Sequence, residues 1–325
     1  MKVLVTGGAG FLGQQLIRNL LARGALARAA QGGASDRISQ ITCFDQIEGS
    51  LRADGVQNIA GDITDRALLG RLIDRDTMAV VHLAAVVSGT AESDFDLGMR
   101  VNVDGTRALL EACRATQARP RVVFSSSLAV YGGALPEVVD DSIEPTPQGS
   151  YGVQKLIGEW LVHDYHRKSF IDGLSVRIPT VVVRPGRPNG AASGFASNII
   201  REPLAGRDAV LPVPVQTRMW ISSPRSAVAN LIRALELSSD ALGIRRSVNL
   251  PGITVSMDDA LAALERVGGA QARARVREAR DDAIERLVRT WPDRFNTARA
   301  LGLGFAADRD FESVVRAHLA DHTAA

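Results

Sequence analysis

Apolar residues in the first half of the chain come as short continuous runs separated by stretches of helical period. Val3-Leu4-Val5 is followed by Gln14 to Arg23, with Leu16, Ile17, Leu20 and Leu21 on one helical face. Ile41 to Phe44, Met78 to Leu83, Val122 to Phe124 and a run within Leu174 to Val183 read as further buried strands. Between them lie a helix running to Leu72 after Gly61-Asp62-Ile63-Thr64-Asp65, a helix Asn102 to Thr116 and a long helix Tyr151 to Arg167. Repeated strand–helix units predict an α/β fold with a doubly wound parallel sheet. Ala27 to Ser39 reads as an extra loop. After about Pro185 the pattern breaks into Pro-, Gly- and Asn-rich loops, then turns helical, most clearly at Met257 to Val267 and Arg273 to Val288. The expected organisation is a sheet domain over residues 1–184 and a smaller, helix-rich lobe over 185–325, with part of the latter returning to the main sheet.

Composition narrows the function. The chain has 325 residues, 46% hydrophobic and 23% charged, with net charge +2. That balance argues against nucleic-acid or anionic-membrane partners. No apolar run reaches the length of a membrane span. The first strand begins at Lys2, leaving no room for a signal peptide, so a cytoplasmic location is expected. Cys43 and Cys113 predict buried free thiols rather than a disulfide framework. His163 and His166 share a helix, but no carboxylate motif joins them and no metal is expected. Arg273 to Arg277, followed by Glu278, Asp281 and Asp282, reads as a solvated helix face.

The turn after the first strand carries chemistry. Thr6-Gly-Gly-Ala-Gly-Phe-Leu-Gly13 joins a strand to a helix. Gly7 permits a tight turn, Gly10 lets a pyrophosphate approach the backbone, and Gly13 lets the helix pack close. The helix N-terminus then offers N–H groups and the positive dipole end to phosphates. With Phe11 and Leu12, these glycines are candidate dinucleotide-binding positions. Asp45 closes the second strand, where a carboxylate accepts from adenosine ribose hydroxyls and repels a 2′-phosphate, so NAD is the expected cofactor.

A second cluster follows. Ser125-Ser126-Ser127 ends a strand, the edge where open α/β sheets bind ligands. Tyr151 and Lys155 are spaced i, i+4 and project from one helix face. An ammonium one turn away favours the phenolate of a tyrosine whose ordinary pKa of ~10 makes it a poor base. A serine hydroxyl can hold the substrate oxygen and share the moving proton.

These residues carry a family resemblance. The order Gly7-x-x-Gly10-x-x-Gly13, Asp62, Asn102, Ser127, Tyr151, Lys155 resembles the extended short-chain dehydrogenase/reductase family, and Phe124 to Gly132 resembles its epimerase-like branch. The resemblance covers essentially the whole chain and implies a Rossmann-like fold that binds NAD. It implies Tyr151 as proton acceptor, Lys155 holding the nicotinamide ribose and lowering the Tyr151 pKa, and Ser127 orienting substrate. It places Asp62 and Ile63 beside adenine, Leu83, Ala84 and Ala85 along the cofactor, and Asn102 in a structural or proton-relay role. It also implies a homodimer through the Asn102–Thr116 and Tyr151–Arg167 helices. Leu109, Leu110, Trp160, Leu161 and Tyr165 there exceed one core-facing stripe.

Substrate signals depart from the sugar-nucleotide pattern. Arg218-Met-Trp-Ile-Ser-Ser-Pro-Arg225 stands where those members carry Arg-Asp-Phe/Tyr. With His82 to Gly89 and Val183 to Ser193, it resembles a branch that oxidises a four-carbon sugar acid at C2 with NAD. A carboxylate substrate needs a cation in a partly dry pocket, and Arg184, Arg187 and Arg218 are candidates. Ser88, Asn189 and Ser193, with Ser127 and Tyr151, complete the candidate substrate contacts. Two alternatives remain: a sugar-nucleotide epimerase or dehydratase with the same Ser/Tyr/Lys machinery, and a non-catalytic dinucleotide-sensing regulator, which would be free to lose Tyr151 and Lys155.

Overall fold

The computed structural model describes residues 1–27, 35–186 and 192–323. In chain order the strands are β1 (Lys2–Thr6), β2 (Ala25–Ala27), β3 (Ser35–Arg37), β4 (Gln40–Asp45), β5 (Val56–Ala60), β6 (Thr77–His82) and β7 (Arg121–Ser127). There follow β8 (Asp172–Ile178), β9 (Thr180–Val181), β10 (Ala209–Leu211), β11 (Arg218–Ser222), β12 (Ser247–Asn249), β13 (Ile253–Ser256) and β14 (Val276–Glu278). The first helices are α1 (Phe11–Arg23), α2 (Arg66–Leu72), α3 (Ser88–Ser93), α4 (Phe95–Gly98), α5 (Gly105–Ala115), α6 (Ser150–Arg167) and α7 (Gly194–Leu204). They are followed by α8 (Pro224–Glu236), α9 (Ser239–Leu242), α10 (Met257–Ala274), α11 (Asp282–Val288), α12 (Ala298–Gly302) and α13 (Phe311–Thr323).

Seven strands form one all-parallel sheet in the order β12-β8-β7-β6-β1-β4-β5. The chain builds outward from β1 to β4 and β5, then crosses back to β6. That reversal opens a crevice at the carboxyl ends of β1 and β6, the place where such sheets bind ligands. The Rossmann-like doubly wound reading therefore holds.

The strands read as continuous apolar runs because both faces are covered. On β1, Val3 and Val5 face α1 and α8, packing with Leu16, Ile17, Leu20, Ala227 and Leu231. Leu4 points the other way, into a core with Leu69, Leu109, Leu110 and Val162. Leu16, Ile17 and Leu20 are fully buried, about 1.5–3 kcal/mol each by transfer. Leu109 and Leu110 are likewise fully buried against the sheet, so they do not belong to a second apolar face.

A separate core gathers α7, α10, α13 and the small β13-β11-β9 sheet, with Ile199, Ile200, Met219, Leu261, Leu264 and Val315 at its centre. The segment after 185 thus builds this core, while α8 and β12 join the main sheet layer.

Three local expectations are corrected. Arg273 to Val288 is not one helix: α10 ends at Ala274, β14 pairs in parallel with β10, and α11 follows. Val276 is buried between outward-facing Arg275 and Arg277, a period of two that suits a strand. The segment Ala27 to Ser39 is not loop throughout: β3, within it, pairs antiparallel with β2 as a short ribbon. The helix expected from Asn102 begins earlier, as a π-helical turn over Met99–Asp104. Among the described residues no helix is long and apolar enough to cross a membrane.

Candidate active site

The turn after β1 is shaped by what glycine alone allows. Gly7 has φ +68°, and a Cβ there would stand 2.7 Å from Ala84 N. A Cβ on Gly13 would stand 2.4 Å from Gly7 O. Gly10 caps α1 without a side-chain hydrogen bond, so no side chain covers the N–H groups of the first turn. Asp45, at the end of β4, accepts from Ala9 N at 3.1 Å and Gln46 N at 2.7 Å, beside the same loop. Ile63 packs beneath Gly105, while Asp62 is tied to Thr64 and to Arg100 at 3.0 Å.

Across the crevice lies a cavity of about 260 Å³. Phe11, Leu12, Leu83, Ala85 and Ser88 line it from the glycine-loop side, and Ser127, Tyr151 and Lys155 from β7 and α6. Arg184 and Ser193 close a third side. Asn102 does not reach the cavity. Its side chain brackets Val86, accepting from Val86 N at 2.8 Å and donating to Val86 O at 3.1 Å, and so holds the loop that does. Arg218 is also outside the lining: it starts β11 half-exposed and pairs with Asp293 at 3.1 Å. The cavity is lined instead by its neighbours Met219 and Trp220. Arg187 and Asn189 lie outside the described residues. Trp291 and Pro292 complete the far wall. Nothing in the sequence periodicity marks these two, because they follow a short helix distant in sequence from every motif.

Electrostatics distinguish the polar groups. Burial pushes the Tyr151 phenol up to about 12, with the Arg184 charge and a hydrogen bond to Ser127 pulling the other way. Burial pushes Lys155 down to about 7, against the pull of Glu159. Its Nζ donates to Ser125 O at 2.8 Å, 5.6 Å from the centre of the Tyr151 ring. Arg184 is thus a second cation acting on the phenol, one that the i, i+4 spacing did not reveal. Arg184 is rigidly seated: Nε donates to Val181 O at 2.9 Å and Nη2 to Ser193 Oγ at 2.7 Å. Its carbonyl accepts from Arg201 Nη1 at 2.7 Å.

A glycine-built phosphate cradle therefore faces a buried tyrosine, a serine and two cations across one cavity. Residues 3–223 match the sequence profile of the NAD dependent epimerase/dehydratase family. The chain belongs to that family. It is 53% identical over 322 residues to a D-erythronate dehydrogenase of Cupriavidus necator, covering 99% of this chain and 98% of the relative. A D-erythronate dehydrogenase of Haemophilus influenzae is 42% identical, covering 97% of this chain and 98% of the relative. Among solved structures, one titled a nucleoside-diphosphate-sugar epimerase from Agrobacterium tumefaciens superposes with TM-score 0.93 at 40% identity, covering 100% of this chain and 95% of that one. The site suits the family's dinucleotide. Side chains on Gly7 or Gly13 would close the turn, and the bare N-terminus of α1 leaves room and donors for a pyrophosphate.

Proposed function

We propose that the chain oxidises D-erythronate at C2 to the 2-oxo acid, with NAD as cofactor. The observation that carries this reading is the convergence of Tyr151, Ser127 and a fixed Arg184 on one small cavity. Full-length similarity to two D-erythronate dehydrogenases supports it. Bound NAD supplies the acceptor for the hydride that leaves C2. The glycine loop and the first turn of α1 hold its pyrophosphate, Asp45 its adenosine ribose, and Lys155 its nicotinamide ribose. Asp45 beside Ala9 favours NAD over NADP, since a 2′-phosphate there meets a carboxylate.

Tyr151 takes the C2 hydroxyl proton, and Ser127 shares the hydrogen bond to that oxygen. Arg184 faces the phenol, where its charge favours the phenolate that accepts this proton, and it offers the substrate carboxylate a cation. Trp220, Trp291 and Pro292 form an apolar wall that excludes water and suits a short acyclic acid better than a nucleotide-linked sugar ring.

A homodimer through α6 is part of the proposal. Trp160 is 64% exposed and Val153, seven residues before it on the helix, 42% exposed. Buried free thiols at Cys43 and Cys113 accord with a cytoplasmic location.

The deciding assay follows NADH absorbance with D-erythronate, the corresponding neutral polyol and a UDP-sugar. D-Erythronate should give NADH far faster than the polyol. Equal rates on acid and polyol would overturn the sugar-acid substrate, and conversion of the UDP-sugar without net NADH would establish the epimerase reading instead.

A further inference from the structure

The face of α6 that carries Tyr151 and Lys155 continues, four residues on, to Glu159. Glu159 is 4% exposed, and nothing in the reaction above uses it. Ser126 Oγ donates to its Oε1, as does Arg177 Nε at 2.9 Å, and Arg177 Nη2 donates to Oε2 at 2.7 Å. Arg177 Nη1 donates to Tyr131 Oη, which also accepts from Asn249 Nδ2 at 3.0 Å. Ser126 stands between Ser125, whose carbonyl receives Lys155, and Ser127 in the cavity. One carboxylate thus ties the catalytic helix to β7 and β8 directly behind the reacting groups. An ion pair buried this deeply is costly to build, and apolar packing would serve stability as well.

We propose that Glu159 is the positioning residue that keeps Lys155 protonated and its Nζ seated on the Ser125 carbonyl. The other groups around Lys155 supply no anion. His82, from β6, lies between the Thr6 and Thr106 hydroxyls, and burial and the Lys155 charge hold it neutral, down to about 3. Tyr151, on α6 itself, is pushed towards the neutral phenol. Arg177, from β8, is cationic and bound to Glu159, and Arg184 stands on the Tyr151 side. Burial drives the Lys155 ammonium towards the amine, and Glu159 is the group that opposes it. An ammonium donates to ribose hydroxyls more strongly than an amine, so Glu159 sets the upper pH limit for cofactor binding. That consequence rests on the dehydrogenase reading; the ionisation of Lys155 does not.

The chain's only lysines are Lys2, Lys155 and Lys168, so labelling with [6-13C]lysine gives three side-chain resonances to titrate in the cofactor-free protein. In Glu159→Gln the Lys155 midpoint should fall by about one to three pH units. In Glu159→Gln/Arg177→Met, where no arginine is stranded, it should rise part of the way but stay below wild type. NADH affinity, read by its fluorescence, should be lost at correspondingly lower pH. A packing role alone would lower the stability of the single variant and leave every Lys155 midpoint at the wild-type value, which overturns the proposal. Should the single variant not fold, the double variant decides by the same comparison. A shifted midpoint with an unshifted NADH curve upholds the role of Glu159 and overturns the ribose role of Lys155.

Discussion

Replacing Lys155 with methionine should abolish turnover and yet stabilise the cofactor-free fold at mildly acid pH. The side chain is 2% exposed, and burial lowers its pKa from 10.5 to about 7. At 1.36 kcal/mol per unit, carrying the protonated form into this site costs about 5 kcal/mol relative to the neutral amine. The sign follows from linkage: the folded pKa lies below the unfolded one, so the unfolded chain binds the proton more tightly. Wild-type stability is therefore lowest below pH about 7 and rises up to about 10.5, where the unfolded lysine also loses its proton. Methionine fills the stem's volume and carries no proton, so the variant lacks this slope. It forgoes the hydrogen bond to Ser125 O, worth about 1 kcal/mol from a neutral amine. Near pH 6 the variant should be the more stable by roughly 4 kcal/mol, and above pH about 10.5 the less stable by about 1 kcal/mol. Urea unfolding of both proteins from pH 6 to 11 measures this, because titrations elsewhere in the chain cancel in the difference. Parallel stability curves across that range would refute the claim that Lys155 loses its proton near neutrality in the folded chain.

Five further outcomes follow from the same geometry. Tyr151→Phe should lower kcat/KM on the order of 10²–10⁴-fold while NADH binding, followed by fluorescence, is retained, since only the proton acceptor is lost. Because burial holds the phenol up to about 12, wild-type kcat/KM for the acid, measured with NAD kept saturating at every pH, should still be rising above neutrality, and a flat profile would exclude Tyr151 as base. Arg184→Met should cost roughly 2–5 kcal/mol in kcat/KM, about 30- to 5,000-fold, for the acid but much less for a neutral alcohol. Asp45→Ala should narrow the preference for NAD over NADP in steady-state kinetics. Trp160→Glu should yield monomers by light scattering at micromolar concentration, with the far-UV circular dichroism of the folded protein unchanged.

How much of this was legible in the chain depends on how local each cause is. The glycine turn is punctuation: Val3-Leu4-Val5, three spaced glycines and an apolar helical stripe are decided within about twenty residues, and the structure seats them beside Asp45. The parallel sheet was readable because its five inner strands are buried on both faces and so appear as apolar runs. Arg273 to Val288 was misread as helix because short alternating segments carry little periodic signal, and β14 exists only by pairing with β10. Leu109 and Leu110 looked like surplus apolar surface, but α5 packs deep enough on the sheet to bury both. Trp291 reaches the cavity from a loop after α11, a placement set by the packing of the second lobe alone.

The active site shows where reading by spacing stops. Tyr151 and Lys155 are neighbours at i, i+4, and that much is fixed by helix geometry. Which cation governs the phenol is not, because the lysine stem is long enough to choose its partner. Here Nζ reaches the Ser125 carbonyl, over the face of Phe124 at 4.8 Å from the ring centre, and Arg184 adds a second cation beside the phenol. Arg184 lies 33 positions beyond Tyr151 and is aimed by Val181, Ser193 and Arg201, of which only Ser193 falls in a segment that the sequence singled out for substrate. The charge on Lys155 in turn feels Glu159, whose carboxylate is held by Arg177, a strand residue 18 positions further along. These links run through a dry interior, where an electrostatic interaction is worth several times its value in water. The residues that perform the chemistry can be listed from the sequence, but their protonation states belong to the fold.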